Sequence, residues 1–151
     1  MTSSPTDADR TPRVLVADND EAVVEMLTEF LRRRGLDVTV ASDGEVALER
    51  LGAERFDLLV CDLDMPVMSG DELLRRIRTR ADSPPVLVIS GYVDEFAEDD
   101  LLANPHVRRV FRKPFDVRAF VEVADDLARG RGGGGADPGI GSDPGPGSGL
   151  F

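Results

Sequence analysis

The chain has 151 residues, and its hydrophobic content of 41% is enough for one compact core but too little for a second domain of ordinary size. Its formal net charge of −11 argues against binding to nucleic acid, because that binding depends on clustered Lys and Arg, and favours cationic ligands instead. A single cysteine, Cys61, excludes an intramolecular disulfide, and no apolar run approaches the roughly 18 residues of a membrane-spanning helix. We therefore expect a cytoplasmic protein with neither nucleic-acid nor membrane partners.

The two ends of the chain differ in composition from its middle. Residues 1–12 are rich in Ser, Thr, Asp and Pro, and residues 130–151 contain ten Gly and three Pro. Such segments cannot bury enough apolar surface to offset the loss of chain entropy on folding. We expect both to be disordered, which places the folded domain at residues 13–129.

Between these ends, apolar runs of strand length alternate with stretches of helical periodicity, which is the pattern of βαβ units. The predicted strands, in order, are Val14 to Ala17, Leu36 to Val40, Leu58 to Cys61, Val86 to Ile89 and Val107 to Phe111. The predicted helices that follow them lie around Val23 to Leu31, Val46 to Leu51, Leu73 to Ile77, Phe96 to Leu102 and Asp116 to Arg129. Five strands and five helices thus account for the core.

The apolar patterns also predict the order of the strands. The second run alternates apolar and polar residues, as a strand with one buried face does, and the fifth contains Arg108 and Arg109, so both are predicted to lie at edges. The third and fourth runs are unbroken and apolar, as in central strands. With right-handed crossovers, this favours the order 2-1-3-4-5. The predicted fold is a doubly wound α/β fold, a flavodoxin-like (βα)5 three-layer sandwich with a five-stranded parallel sheet.

Chemically active side chains follow four of the predicted strands. Asp18 follows the first, Asp62 the third, Ser90 the fourth and Lys113 the fifth. Because the carboxyl ends of parallel strands share one edge of a sheet, we expect these four residues to meet in one crevice. Neighbouring carboxylates repel each other unless a cation is present, and hard oxygen ligands suit Mg²⁺ or Mn²⁺. The sequence therefore predicts a divalent metal site beside Asp62.

A metal at this place would neutralise an incoming phosphoryl group, so that the Asp62 carboxylate can attack phosphorus and form an acyl phosphate. We expect Ser90 to donate a hydrogen bond to that phosphoryl group, and Lys113 to pair first with Asp62 and then with the phosphoryl oxygens. Taken singly, the same residues have simpler interpretations, since Asp18 and its neighbours can cap a helix and Asp62 can precede a turn. Their predicted convergence favours the functional interpretation.

Four motifs together resemble the receiver domain of bacterial two-component response regulators, and the resemblance covers residues 13–129. They are V-L-V-A-D-N-D at 14–20, D-L-D-M-P-V-M-S-G at 62–70, V-I-S-G at 88–91 and R-K-P-F at 112–115. The resemblance implies that a histidine kinase, a phosphotransfer protein or a small phosphodonor phosphorylates Asp62. It also implies that a downstream protein binds the face formed by the fourth helix, the fifth strand and the fifth helix.

The resemblance further implies which residues serve the metal and the switch. Asp18, Asn19 and Asp62 are the expected side-chain ligands, with a further contact from the backbone carbonyl of Asp64. Ser90 and Lys113 match the hydroxyl and cation positions of the family's switch. We expect a phosphoacceptor that assists its own phosphoryl transfer and hydrolysis, and not an enzyme that turns over an external substrate.

Three positions depart from the family pattern. Asn19 stands where a second acidic ligand is usual, so weaker Mg²⁺ binding is expected, and Asp20 is a further candidate ligand that can equally begin the first helix. Val110 occupies the strand-five position that commonly holds an aromatic ring, with Phe111 one residue on. Tyr92, two residues beyond Ser90, implies slow self-dephosphorylation by analogy with the family.

The leading hypothesis is a stand-alone receiver with no DNA-binding output domain, which acts as a phosphorylation-controlled protein-binding switch or as a phosphorelay intermediate. The alternative is a degenerate receiver that binds proteins without phosphate, because Asn19 has weakened its metal site. A third hypothesis, an aspartyl-nucleophile phosphatase of the haloacid dehalogenase type, is suggested by Asp62 and Asp64. It is disfavoured by Met65-Pro66 and by the lack of a later acidic motif.

Overall fold

The structure is a computed structural model that describes residues 10–91 and 95–131. Most of the two segments expected to be disordered, and Tyr92, lie outside these residues. Strands and helices alternate along the described chain. They are β1 (Arg13–Ala17), α1 (Glu21–Arg33), β2 (Asp37–Ala41), α2 (Gly44–Ala53), β3 (Leu58–Asp62), α3 (Gly70–Ile77), β4 (Val86–Ser90), α4 (Glu95–Leu102), β5 (Val107–Arg112) and α5 (Val117–Ala128).

The five strands form one sheet in the order β2-β1-β3-β4-β5, and every neighbouring pair is parallel. This confirms the predicted fold class and strand order. The strand ends differ from the prediction by about one residue. Arg13 and Asp37, for example, pair in the ladder although neither is apolar, because backbone pairing continues past the end of an apolar run.

Side chains on the two faces of the sheet belong to two separate cores. On one face, α1 and α5 cover strand residues such as Val16 and Val60, with Leu27 and Phe120 completely buried. On the other face, α2, α3 and α4 cover the alternate strand residues, including the completely buried Cys61. The predicted three-layer sandwich is therefore confirmed, and both faces of β3 and β4 are buried.

Capping residues place the beginning of several helices close to the carboxyl edge of the sheet. The side chains of Asp20, Asp43, Ser69 and Asp116 accept hydrogen bonds from backbone N–H groups in the first turns of α1, α2, α3 and α5. At the other end of α1, Gly35 adopts a φ of +83°, the left-handed conformation in which a glycine commonly ends a helix. Among the described residues, no helix is long and apolar enough to cross a membrane.

Candidate functional site

Strand ends bring the four predicted residues to the same edge of the sheet. Asp18 directly follows β1, Asp62 ends β3, Ser90 ends β4 and Lys113 directly follows β5. The Lys113 N–H donates to the Ser90 carbonyl at 2.7 Å, which extends the strand pairing to the lysine. Asp18, Asp62 and Ser90 are each at most 3% exposed. The crevice therefore holds two carboxylates that are almost completely withdrawn from water.

One cation faces both carboxylates. The Lys113 Nζ lies 3.5 Å from Asp18 Oδ2 and 3.7 Å from Asp62 Oδ2. The lysine side chain is itself only 23% exposed. Since one ammonium group faces two carboxylates, the crevice has an excess of negative charge whenever both are ionised.

The other oxygens of these carboxylates accept backbone hydrogen bonds. Asp18 Oδ1 accepts from the Asp20 N–H at 2.9 Å, and Asp62 Oδ1 accepts from the Asp64 N–H at 3.3 Å. Asp18 Oδ2 is buried and makes no hydrogen bond, although buried polar atoms are nearly always paired, and it has only the longer 3.5 Å contact with Lys113 Nζ described above. An acceptor oxygen in this position fits a cation.

The pKa of Asp62 also indicates that the crevice suits a cation. The pKa of Asp62 is raised to about 6, first by burial and then by the neighbouring charge of Asp18, which together outweigh the lowering effects of the Asp64 N–H and Lys113. A raised pKa means that the ionised carboxylate is less stable here than in water. A second cation in the crevice would relieve that cost.

The remaining predicted metal ligands lie at the rim of the crevice. Asn19 and Asp64 are exposed and adjoin Asp18 and Asp62 in the chain. Asp20 is also exposed, and its Oδ1 accepts from the N–H groups of Ala22 and Val23. The structure therefore uses the Asp20 side chain as the cap of α1.

The donor set in the crevice fits Mg²⁺ better than a metal that needs several protein ligands. In residues 10–91 and 95–131, no three His, Cys, Asp or Glu side chains are grouped to hold a metal ion. Two carboxylates, an amide side chain and a backbone carbonyl are instead hard oxygen donors, and Mg²⁺ typically keeps several waters beside one or two carboxylates. The orphaned Asp18 oxygen and the excess negative charge are thus consistent with the predicted ion.

The aromatic position of β5 differs from the family pattern in a way that the structure explains. Val110 packs on the α2, α3 and α4 face of the sheet, whereas Phe111 packs on the opposite face. There the Phe111 ring lies 4.9 Å from the Phe120 ring and 6.1 Å from the Phe115 ring, between ring centroids. Phe111 therefore belongs to the α1 and α5 core and does not replace an aromatic ring at Val110.

Two further residues lie beside Asp62, and the close approach of one of them, Gly70, was not predicted from the sequence. Gly70 begins α3, and a Cβ atom there would lie 2.2 Å from the Asp62 carbonyl oxygen, so only glycine fits without a backbone shift. Cys61 is completely buried, its Sγ lies 3.5 Å from the Asp62 carbonyl oxygen, and burial raises the pKa of its thiol. Gly70 is the last residue of the motif at 62–70, but the sequence does not show that its α-carbon lies against the Asp62 carbonyl oxygen.

Comparison with known proteins assigns the family. Residues 14–125 match the family model described as the response regulator receiver domain. The alkaline phosphatase synthesis transcriptional regulatory protein PhoP of Bacillus subtilis is 37% identical over 114 residues, which cover 74% of this chain and 47% of PhoP. Response regulator RR06 of Streptococcus pneumoniae is 39% identical, over 77% of this chain and 52% of that protein. The chain thus spans about half the length of these curated relatives.

Solved structures agree. The receiver domain of Francisella response regulator 1452 has a TM-score of 0.73 and 27% identity, and the match covers 80% of this chain and 98% of that one. Response regulator TrrA of Thermotoga maritima, solved in complex with Mg²⁺ and BeF, has a TM-score of 0.67 and 26% identity, over 78% of this chain and 99% of that one. Together with the strand order and the acidic crevice, these matches show that the chain belongs to the receiver-domain family of two-component response regulators.

Proposed function

We propose that this protein is a phosphorylation-dependent signalling switch in which Asp62 accepts a phosphoryl group from a histidine kinase or a phosphotransfer protein. The observation that carries the proposal is the arrangement of Asp62 and Asp18 around a single lysine, Lys113. Such a crevice is suited to a cation and to the anionic group that the cation would accompany.

The chain's own residues would act as follows. The Asp62 carboxylate is buried at the end of β3, where the Asp64 N–H donates to its Oδ1 and its Oδ2 faces Lys113. We infer that Asp62 Oδ2 attacks phosphorus, and that the bond between phosphorus and the donor's histidine nitrogen breaks as the acyl phosphate forms, so that the donor's imidazole leaves and takes up a proton. Lys113 can then exchange its contact with Asp62 for one with the phosphoryl oxygens.

Mg²⁺ or Mn²⁺, held by Asp18, Asn19, Asp62 and the Asp64 carbonyl, would supply charge neutralisation during phosphoryl transfer. Of these groups, Asp18 gives the clearest support for the proposed ion, because its buried Oδ2 makes no hydrogen bond.

The proposed output face consists of α4, β5 and α5. Arg112, which precedes Lys113, forms a 2.6 Å contact with Glu98 of α4, so movement of the lysine is directly connected to this face. Leu102 at the end of α4 is 43% exposed and offers an apolar contact there. A downstream protein that distinguishes the two states of the switch would bind this surface.

Intact-protein mass spectrometry after treatment with acetyl phosphate and Mg²⁺ tests the proposal. We expect a gain of one phosphoryl group that disappears in Asp62→Ala and in the presence of a chelator. An unchanged mass, or an equal gain in Asp62→Ala, would contradict it.

The role of Lys113 is tested separately. Lys113→Ala is expected to accept the phosphoryl group but to lose the amide chemical-shift changes in α4 and β5 that phosphorylation causes in the unmodified sequence. Full shift changes in a phosphorylated Lys113→Ala protein would remove Lys113 from the switch.

A second candidate, a receiver that binds proteins without phosphate, is favoured by one observation. Asn19 supplies an uncharged amide, and the described residues bring only Asp18 and Asp62 together as acidic side chains in the crevice. A protein that folds normally but gains no phosphoryl mass at millimolar Mg²⁺ would support this second function.

A further inference from the structure

Residues 63–69, which we name the phosphoacceptor loop, contain a strained residue. Val67 has a φ of +66°, and the Met68 N–H donates to the Pro66 carbonyl at 2.6 Å. This combination is a classic γ-turn, which is rare, and a positive φ is especially unfavourable for a β-branched residue. The Val67 side chain is 77% exposed, so its own packing does not hold the turn in place. Other contacts of the loop must hold it.

The contact best placed to do so comes from Gly44, the first residue of α2. Its N–H donates to the Met68 carbonyl at 3.0 Å. A Cβ atom on Gly44 would lie 2.3 Å from that same oxygen, so any side chain would push the loop and the helix apart. Gly44 does not have a positive φ, which means that glycine is needed here for space and not for backbone conformation.

The loop connects this contact to the phosphoacceptor within a few residues. At its start, the Asp64 N–H donates to Asp62 Oδ1, and the Gly70 N–H closes the base of the loop on the Leu63 carbonyl at 3.0 Å. A displacement at Met68 therefore reaches Asp64, whose carbonyl is one of the proposed metal contacts. Sites of this kind are sensitive to shifts of well under 1 Å.

We infer that Gly44, although it lies on a different helix from Asp62, is a positioning residue for the phosphoacceptor site. By admitting the Met68 carbonyl to hydrogen-bonding distance, it holds the strained loop in the form in which Asp62 and the Asp64 carbonyl serve one cation. The inference rests on the proposed function of Asp62 and extends it to α2.

Isothermal titration calorimetry with Mg²⁺ tests the inference on three chains. We expect Gly44→Ala to bind Mg²⁺ about tenfold more weakly than the unmodified protein, as is typical when the support of a ligand is removed. Gly52→Ala is the matched control on the same helix, because a Cβ atom there meets only the end of Arg80, at 4.0 Å. Its Mg²⁺ affinity should be unchanged.

A rescue variant separates positioning from general stability. Gly44→Ala combined with Val67→Gly allows the turn to relax, and we expect it to recover part of the lost Mg²⁺ affinity, which a merely structural defect in α2 would not allow. Gly44→Ala with unchanged affinity, or a Gly44 amide that exchanges with solvent as fast as an exposed one, would overturn the inference. If the unmodified protein itself binds no Mg²⁺, the proposed function fails first, so the two failures are distinguishable.

Discussion

Two buried carboxylate sites in this molecule differ in how fully their charge is paired. In the Asp125 cluster, where α1 meets α5, Asp125 is 6% exposed and lies 2.8 Å from Arg34, 2.6 Å from Arg129 and 3.4 Å from Arg131. In the crevice, Asp62 shares the single Lys113 with Asp18, at 3.5 to 3.7 Å. With Glu122 on Arg34 and Asp126 on Arg131, the first site has as many carboxylates as guanidinium groups, whereas the second has two carboxylates for one ammonium group.

The pKa values follow this difference. Burial acts to raise the pKa of Asp125, but the hydrogen bonds from Arg129 and Arg34 and their charges outweigh it and hold the pKa below its ordinary value. Burial and the charge of Asp18 together raise the pKa of Asp62 to about 6, because Lys113 and the Asp64 N–H do not outweigh them. A buried aspartate thus stabilises the fold where its charge is fully paired, and is suited to a cation where it is not.

The largest effect is expected when Asp125 is removed from the well-paired site. Asp125→Ala leaves Arg34 and Arg129 without their shared partner and should lower the free energy of unfolding by about 2–3 kcal/mol in urea denaturation. Asp126→Ala, which removes only the exposed contact with Arg131, is the control and should cost less than about 1 kcal/mol. Equal losses in the two variants would show that the Asp125 cluster does not fasten α1 to α5.

Removing the charge of Asp62 from the crevice should instead raise the free energy of unfolding. The pKa of Asp62 rises from 3.8 to about 6 on folding, so the folded state holds its proton more tightly and loses stability as pH rises through that window. In chelator at pH 7, Asp62→Asn should therefore be more stable than the unmodified protein by about 1–2 kcal/mol. The difference should vanish below the lower of the two pKa values. Denaturation curves across this pH range would contradict the comparison if the difference did not depend on pH.

Adding a negative charge at the rim of the crevice should increase its excess of negative charge and strengthen Mg²⁺ binding. Asn19→Asp is expected to raise Mg²⁺ affinity about tenfold, because it adds a third carboxylate to the donor set. The matched control is Asp20→Asn, since Asn also caps helices and the Asp20 side chain serves α1. Calorimetry that found a larger loss in Asp20→Asn than gain in Asn19→Asp would instead make Asp20 a ligand.

The smallest effect is expected at Val67, where a substitution tests whether backbone strain, in addition to buried charge, lowers the free energy of unfolding. Val67→Asn places a residue that tolerates a positive φ in the phosphoacceptor loop and should raise the free energy of unfolding by about 0.5 kcal/mol. Val40→Asn, at an exposed position of β2, is the control and should lower it, because Asn is disfavoured in strands. If Val67→Asn is as destabilising as Val40→Asn, the γ-turn stores little strain.

The strand order was predictable because burial leaves a direct pattern in the chain. Continuous apolar runs marked β3 and β4, and interrupted ones marked β2 and β5. The meeting of Asp18, Asp62, Ser90 and Lys113 followed from the same topology, since parallel strands present their carboxyl ends at one edge. Their roles in phosphoryl transfer stay predictions.

Other features leave no comparable pattern. Arg34 directly follows α1 and its partner Asp125 lies 91 residues away, so no local spacing joins them. The positive φ of Val67 and the close approach of Gly44 to Met68 depend on how α2 packs beside the phosphoacceptor loop. Those contacts exist only in the assembled fold.

The burial of Cys61 gives the molecule a built-in reporter. Its thiol lies in the central strand directly before Asp62, is fully enclosed, and has a pKa raised by that enclosure. An alkylating reagent can therefore modify it only when β3 opens, so the labelling rate measures local unfolding at Asp62 without any engineered probe. A ligand that stabilises the crevice against local unfolding should slow the alkylation of Cys61.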